Sequence, residues 1–334
     1  KYGDRIDAID RYRAQMHAER FTERNDAANA TQGLHFARDL EHVYAEVLLE
    51  PRPVQNAMRL FPIDTTVPRG AKFHTIRRTY GDGEAKVYRG RGERIPRVGI
   101  SAKEETFNVR HYVTSWICDI FEIASSGFAN VDKQAELLRV ARDIMDDFLN
   151  WQTWYGDDEN GLPGVLNYPW IRKKVIATPF VEGSDPNDII RELHRLVDFP
   201  YLSQRQSFKP TVIVFSPRVH SYLKQTRIGP DTDKTILAQF MDTNAHIERV
   251  EEAHELQNDP DDPIPGVPPG QDVILAYRPD RLGISNVIPQ PFTTLPMQEM
   301  GFELTTYAYM SHGGVIMREV GNNIIGFVTP PDLF

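Results

Sequence analysis

The sequence predicts an α+β fold, because helical and strand-like segments follow one another without the regular β-α-β rhythm of a doubly wound parallel sheet. A strand-rich stretch from Thr65 to Ile117 comes first, and one long amphipathic helix, Val131 to Gln152, follows it. The 334 residues amount to about two domains at ~150 residues each, ample for a sizeable core.

Composition narrows the class. Hydrophobic residues are 40% and charged residues 25% of the chain, an ordinary globular balance rather than a disordered or fibrous one. The most apolar stretch, Tyr112 to Ala129, is interrupted by Asp119 and Glu122, so no transmembrane helix fits and no membrane partner is expected. The 38 basic and 47 acidic residues give a net charge of −9, which argues against a general nucleic-acid coat. Cys118 is the single cysteine, which rules out an internal disulfide and reads as a small buried hydrophobe in a strand-like run. The first residues hold neither an apolar h-region nor a small-residue cleavage site. The sequence opens on Lys1 rather than Met, which fits an earlier start or proteolytic maturation equally well.

Residues Asp4 to Ala27 are highly charged, with Ile6, Ile9, Tyr12, Met16 and Phe21 at irregular helical spacing. So thin an apolar stripe suits a helix lying against another surface rather than inside a core. Leu40 to Leu49 reads as a helix stopped by Pro51 and Pro53. A strand from Ala71 to Tyr80 leads to Gly81-Asp82-Gly83, expected as a tight reversal with Glu84 to Tyr88 returning. From Phe107 to Ile117, residues alternate with the period of a half-buried strand. The Val131 helix is expected to be capped by Asn130, to bury Val131, Ala135, Leu138, Ala141, Met145 and Phe148, and to end in the turn formers Gly156 to Gly164. Asp185-Pro186 opens a helix through Val197, Ser216-Pro217 opens one to about Thr226, and another spans Asp233 to Met241. Thr211 to Phe215, Val273 to Tyr277, Phe302 to Met310, Val315 to Arg318 and Ile324 to Thr329 read as strands, and Asp259 to Gly270 as an exposed loop.

The standard catalytic signatures are absent: no G-x-S-x-G elbow, Walker loop, H-E-x-x-H or paired C-x-x-C. His246, Glu248, Glu251, Glu252, His254 and Glu255 are candidate metal ligands, weighed against a solvated acidic edge. Asp157, Asp158, Glu159 and Asn160 match a calcium loop in composition but not in spacing, and read as a turn. The most informative feature is charge placement. Between Arg69 and Arg110 lie 11 basic residues against 5 acidic ones, while Asp231 to Asp272 holds 11 acidic against 2 basic. One positive projection and one negative region suit charge-complementary self-assembly better than nucleic-acid binding, since few aromatics, Phe73, Tyr80 and Tyr88 among them, interleave the basic run.

The order of these parts, from about Leu34 to Phe327, resembles the major capsid protein of tailed bacteriophages, the Hong Kong 97-type fold shared with encapsulins and herpesvirus shells. The basic stretch is similar to the family's extended loop and the Val131 helix to its spine helix. Gly156-Asp157 with Gly161 to Asn167 is similar to the turn after the spine. Asp188-Ile189-Ile190, Thr211 to Phe215 and Ser216-Pro217-Arg218 resemble the start of the axial domain. The resemblance implies an N-terminal arm over 1–64, an extended loop over 65–110, a peripheral domain over 111–185, an axial domain over 186–299 and returning peripheral strands over 300–334. It implies a structural protein without catalytic activity or cofactor. Copies would assemble into pentamers and hexamers of an icosahedral head enclosing double-stranded DNA without sequence specificity, with scaffold, portal and decoration proteins as further partners and the virion as destination after assembly in the host cytoplasm. Inter-subunit contacts are then expected at Arg77, Arg78, Arg89, Arg91, Arg94 and Arg97, facing carboxylates such as Glu248, Glu251 and Glu252. Some relatives form a Lys–Asn cross-link, but no asparagine lies between Asn286 and Asn322, so none is expected here. An encapsulin-like compartment is the alternative reading, and a metal-dependent enzyme at His246 and His254 the third.

Overall fold

The structure, a computed structural model, describes residues 52–87, 90, 96–128, 132–169, 171–203, 208–230, 232–261, 263–280, 283–318 and 323–331. The helices expected before Pro51 and the arginines Arg89, Arg91 and Arg94 lie outside the described residues.

A five-stranded mixed sheet forms the larger core. Its order is β5 (Arg172–Val175), β14 (Ile324–Val328), β8 (Asp272–Tyr277), β6 (Val212–Phe215), β7 (Arg249–Glu252). β6, β8 and β14 are apolar almost throughout because both faces are covered, which removes the need for a polar side. Alternation then divides the residues between two cores. Ile213, Phe215, Ile274 and Ala276 pack under helices α4 (Pro186–Ser203), α5 (Pro217–Gln225) and α6 (Ile236–Thr243). Val212, Val214, Val273, Leu275 and Tyr277 face Trp154 and Phe61 instead. The Phe61 ring meets Trp154 edge-on at 5.0 Å and Tyr277 at 5.3 Å, joining α1 (Ala57–Leu60), α3 (Lys133–Tyr155) and the sheet.

The second body of strands centres on β12 (Glu303–His312). β4 (Arg110–Asp119) pairs antiparallel along one edge, and β10 (Gln290–Thr294) and β11 (Gln298–Met300) share the other. Met310 and Tyr112 turn toward Met145 and Leu149 of the long helix α3. A small sheet of β1 (Ile63–Asp64), β9 (Ile284–Val287) and β13 (Val315–Met317) lies between, and α2 (Ile120–Phe128) follows β4.

Several expectations require correction. The glycines Gly81 and Gly83 do not reverse the chain. β2 (Phe73–Asp82) runs through Gly81 and pairs with β3 (Gly99–Asn108) in ten antiparallel pairs, Phe73 with Asn108 at one end and Asp82 with Gly99 at the other. The return strand is therefore 99–108, not 84–88; glycine permits a turn but does not compel one, and the ladder wins. The expected strand from Phe107 to Ile117 breaks at Val109, whose N–H leaves the ladder to donate to the Lys72 carbonyl at 2.9 Å. The long helix starts two residues late and ends three late, at Lys133–Tyr155, because Asp132 accepts from the Ala135 N–H as cap. Its buried row is Ala141, Met145 and Leu149, whereas Leu138 and Phe148 are exposed and Val131 is outside the described residues. The Pro186 helix runs on to Ser203, and the third helix is Ile236–Thr243, capped by Thr235. Ser216 caps α5 as expected. β14 lies in the sheet with β8 and β5.

Candidate assembly surfaces

The β2–β3 hairpin follows from its sequence: Thr, Ile, Tyr and Phe favour strands, while its Arg, Lys and Glu residues oppose burial. Ten residues per strand give a reach of about 34 Å at 3.4 Å per residue. Of the twenty strand residues only His74 is buried. Val98 and Ile100, 79% and 80% exposed, show that even the apolar residues of the outer hairpin meet no surface of their own subunit.

The two described arginines of β2 differ in role. Arg77 Nε lies 2.8 Å from Glu104 Oε1 directly across the hairpin, an exposed cross-strand pair. Arg78 points inward, donating from Nη2 to the Met317 carbonyl at 2.8 Å and from Nε to the Arg318 carbonyl at 3.0 Å, with Glu105 at 3.1 Å. Arg78 is thus already satisfied within its own subunit and staples the hairpin's root to the end of β13. Arg97 is exposed near the start of β3.

The acidic region is more structural than its composition suggests. Asp272, fully buried, accepts from Ser216 Oγ, Arg218 Nη2 and the Asn258 N–H. Glu255 is 5% exposed and accepts from Asn56 and Asn150, tying α1 and α3 to the loop after β7. Glu251 pairs with Arg59, and Glu252 accepts from His220 Nδ1 at 2.7 Å. Glu248 is exposed. The metal-ligand reading of this stretch therefore gives way to hydrogen bonding within the fold. Among the described residues no three His, Cys, Asp or Glu side chains gather to hold a metal ion. The Asp157 stretch is a turn: Asp157 accepts from the Asn160 N–H and side chain. Gly156, at φ +72°, abuts Gly164 so closely that a Cβ on Gly164 would stand 2.3 Å from the Gly156 nitrogen.

One apolar end escaped sequence reading. On β4 the inward residues are Tyr112, Thr114, Trp116 and Cys118, which leaves Val113 and Ile117 outward. Beyond them Phe121 stacks on Phe302 at 5.9 Å with both rings mostly exposed, and Met300 is exposed beside them in sequence. The alternating Val113 and Ile117 were visible as a stripe, but nothing local says which face of a strand turns inward. Cys118 is buried, as its strand context predicts. A cavity of about 450 Å³, lined by Pro62, Ile63, Asp64, Asp280, Ser285 and Arg318 among others, opens near the hairpin's root. Its charges are paired: Asp64 with Arg318 and Asp280 with Arg278, each at 2.7 Å. Burial opposes ionisation of Asp64, yet hydrogen bonds from Thr66 and Arg318 hold its carboxyl below the usual range.

A family model described as major capsid protein matches residues 83–323. The chain belongs to that family. Major capsid proteins are structural, not enzymatic, which overturns the metal-enzyme reading. Solved capsids share the fold. The capsid of Myoviridae phage XM1 matches with a TM-score of 0.76 at 13% identity, covering 89% of this chain and 100% of that one. Mycobacterium phage Adephagia gives 0.59 at 12%, covering 89% and 97%. The asymmetric unit of the bacteriophage PhiM1 mature capsid gives 0.54 at 11%, covering 88% and 92%. No curated protein matches the sequence. The capsid subunit has the Hong Kong 97-type architecture over most of its length. The capsid protein is a component of an icosahedral shell, and its hairpin and apolar end are exposed. Among the described residues no helix is long and apolar enough to cross a membrane.

Proposed function

We propose that this capsid subunit builds the head of a tailed phage, forming pentamers and hexamers that close around double-stranded DNA held without sequence specificity. The observation that carries this reading is the hairpin: about 34 Å of paired strand with one buried residue, set in a stretch, Arg69 to Arg110, that holds 11 basic against 5 acidic residues. Two-stranded ribbons are marginal in water, so such an element gains its stability on an adjacent copy. Arg77, Arg89, Arg91, Arg94 and Arg97 are its contact residues, opposite a neighbour's Glu248, Glu251 and Glu252. Each contact is individually weak, and closed symmetry multiplies it. Assembly in the host cytoplasm with scaffold, portal and decoration proteins belongs to the same reading.

Two measurements test it. Arg89→Glu, Arg91→Glu and Arg94→Glu together should leave a folded subunit that forms no shells, and normal shells from the triple variant would refute the contact assignment. Particles from a phage-producing culture should contain DNA protected from nuclease. A co-purifying enzyme in place of nucleic acid would favour an encapsulin-like compartment instead.

A further inference from the structure

Two buried histidines lie where the hairpin joins the body. His74 is the buried residue of β2, and His312, the last residue of β12, has no exposed surface. His312 Nε2 lies 2.7 Å from Asn286 Oδ1, and Asn286 Nδ2 donates to Thr153 Oγ1 of α3 at 2.9 Å. Because Asn286 Oδ1 can only accept, His312 carries its proton on Nε2 and leaves Nδ1 bare. Neither that Nδ1 nor either ring nitrogen of His74 has a hydrogen-bond partner. His74 packs beside the chain neighbour of His312: a Cβ added to Gly313 would stand 3.2 Å from His74 Cε1. On its other side His74 lies against Phe107 of β3, with centroids 5.5 Å apart.

The surrounding charges are few. Asp64 of β1 faces His74 and favours its protonation, but Arg318, after β13, engages that carboxylate. The Arg78–Glu105 pair of the hairpin is internally neutralised. The titratable group felt at His312 is His74 itself, while β9 presents the neutral Asn286 and α3 the neutral Thr153. Burial drives both rings to the neutral form, His74 down to about 4 and His312 to about 3.

We propose that the seat of His74 against Gly313, beside the buried His312, is an acid-released latch, in which protonation of the two histidines by solvent detaches the hairpin's root from the strand that carries His312. The sign follows from linkage. A released histidine has an ordinary pKa near ~6.5, above its docked value, so the docked state is fully favoured above that pH and loses ground as pH falls toward the docked values. Between pH 7.5 and pH 5 each histidine that regains its ordinary pKa moves the balance toward release by about 30-fold. Asp64, held below the usual carboxyl range, stays ionised throughout this window and adds nothing to the response.

Hydrogen exchange of the β2 and β3 amides in the full chain, corrected for the intrinsic rate at each pH, reads the latch directly. Protection around His74 to Arg78 should fall at least tenfold from pH 7.5 to pH 5. In the paired variant His74→Phe with His312→Gln it should stay within threefold, since Phe refills the aromatic site and Gln keeps a donor for Asn286. His312→Gln alone covers the case in which the paired variant fails to fold, and should remove about half of the response on a logarithmic scale. Wild-type protection that is unchanged between the two pH values, or a variant response equal to the wild type's, would overturn the latch. The readout needs no shell, so its failure is separable from any failure of the assembly reading.

Discussion

Asp272 opens β8 with its carboxylate out of solvent, gathering Ser216 Oγ at 2.5 Å, Arg218 Nη2 at 2.7 Å and the Asn258 N–H at 3.0 Å. In the sequence it ends a run of acidic residues and reads as one more surface charge. Its role depends on Arg218, distant in sequence, so no local pattern exposes it. Removing its carboxylate strips two buried donors, Ser216 Oγ and the Asn258 N–H, of their acceptor and leaves Arg218 with Asp259, at 3.3 Å, as its remaining carboxylate. Asp272→Ala should therefore cost roughly 3–5 kcal/mol, seen as a lower urea midpoint at constant m-value. A loss under about 1 kcal/mol would show that the Asp259 carboxylate suffices for Arg218. The same limit on local reading hid His74 and His312, whose importance lies in the burial the fold imposes on them, whereas Cys118 was legible because a lone cysteine in a strand is a small hydrophobe wherever it packs.

Arg77 and Arg78 are adjacent on one strand, and the two-residue period sends them to opposite faces. The outward Arg77–Glu104 pair is solvent-screened, so Arg77→Ala should change subunit stability by no more than about 0.5 kcal/mol. Arg78→Ala removes donors to two carbonyls at the end of β13 and should open the hairpin's root by about 1–2 kcal/mol, read as roughly tenfold faster amide exchange around His74. Equal effects from the two substitutions would contradict the assignment of Arg78 as the staple. At this scale the sequence is informative about type and less so about limits. The strands Val212–Phe215, Asp272–Tyr277 and Ile324–Val328 stand out as apolar runs, and Ser216-Pro217 marks a helix start that the structure keeps. The hairpin turn was misplaced because glycines signal permission, while pairing over ten residues decides where the strand ends. The spine helix shifted because Asp132 competes with Asn130 for the same capping role, a choice made by geometry rather than residue type.

The whole subunit pairs a well-packed double core with a projection and an apolar end that its own fold leaves uncovered. The core explains why the described body folds. The uncovered parts explain why a shell, rather than a monomer, is the expected state of the chain. The order of parts carried this reading at the sequence level, since stretches that resemble the family's extended loop, spine helix, turn and axial start follow one another along the chain. What sequence could not rank was the apolar end at Phe121, Phe302 and Met300, because exposure is a property of the assembled tertiary surface. Negative-stain electron microscopy of the purified full chain is the most direct test. It should show closed, uniformly sized shells, whereas dispersed single subunits at every protein concentration tried, with the hairpin still protected from exchange, would contradict the account.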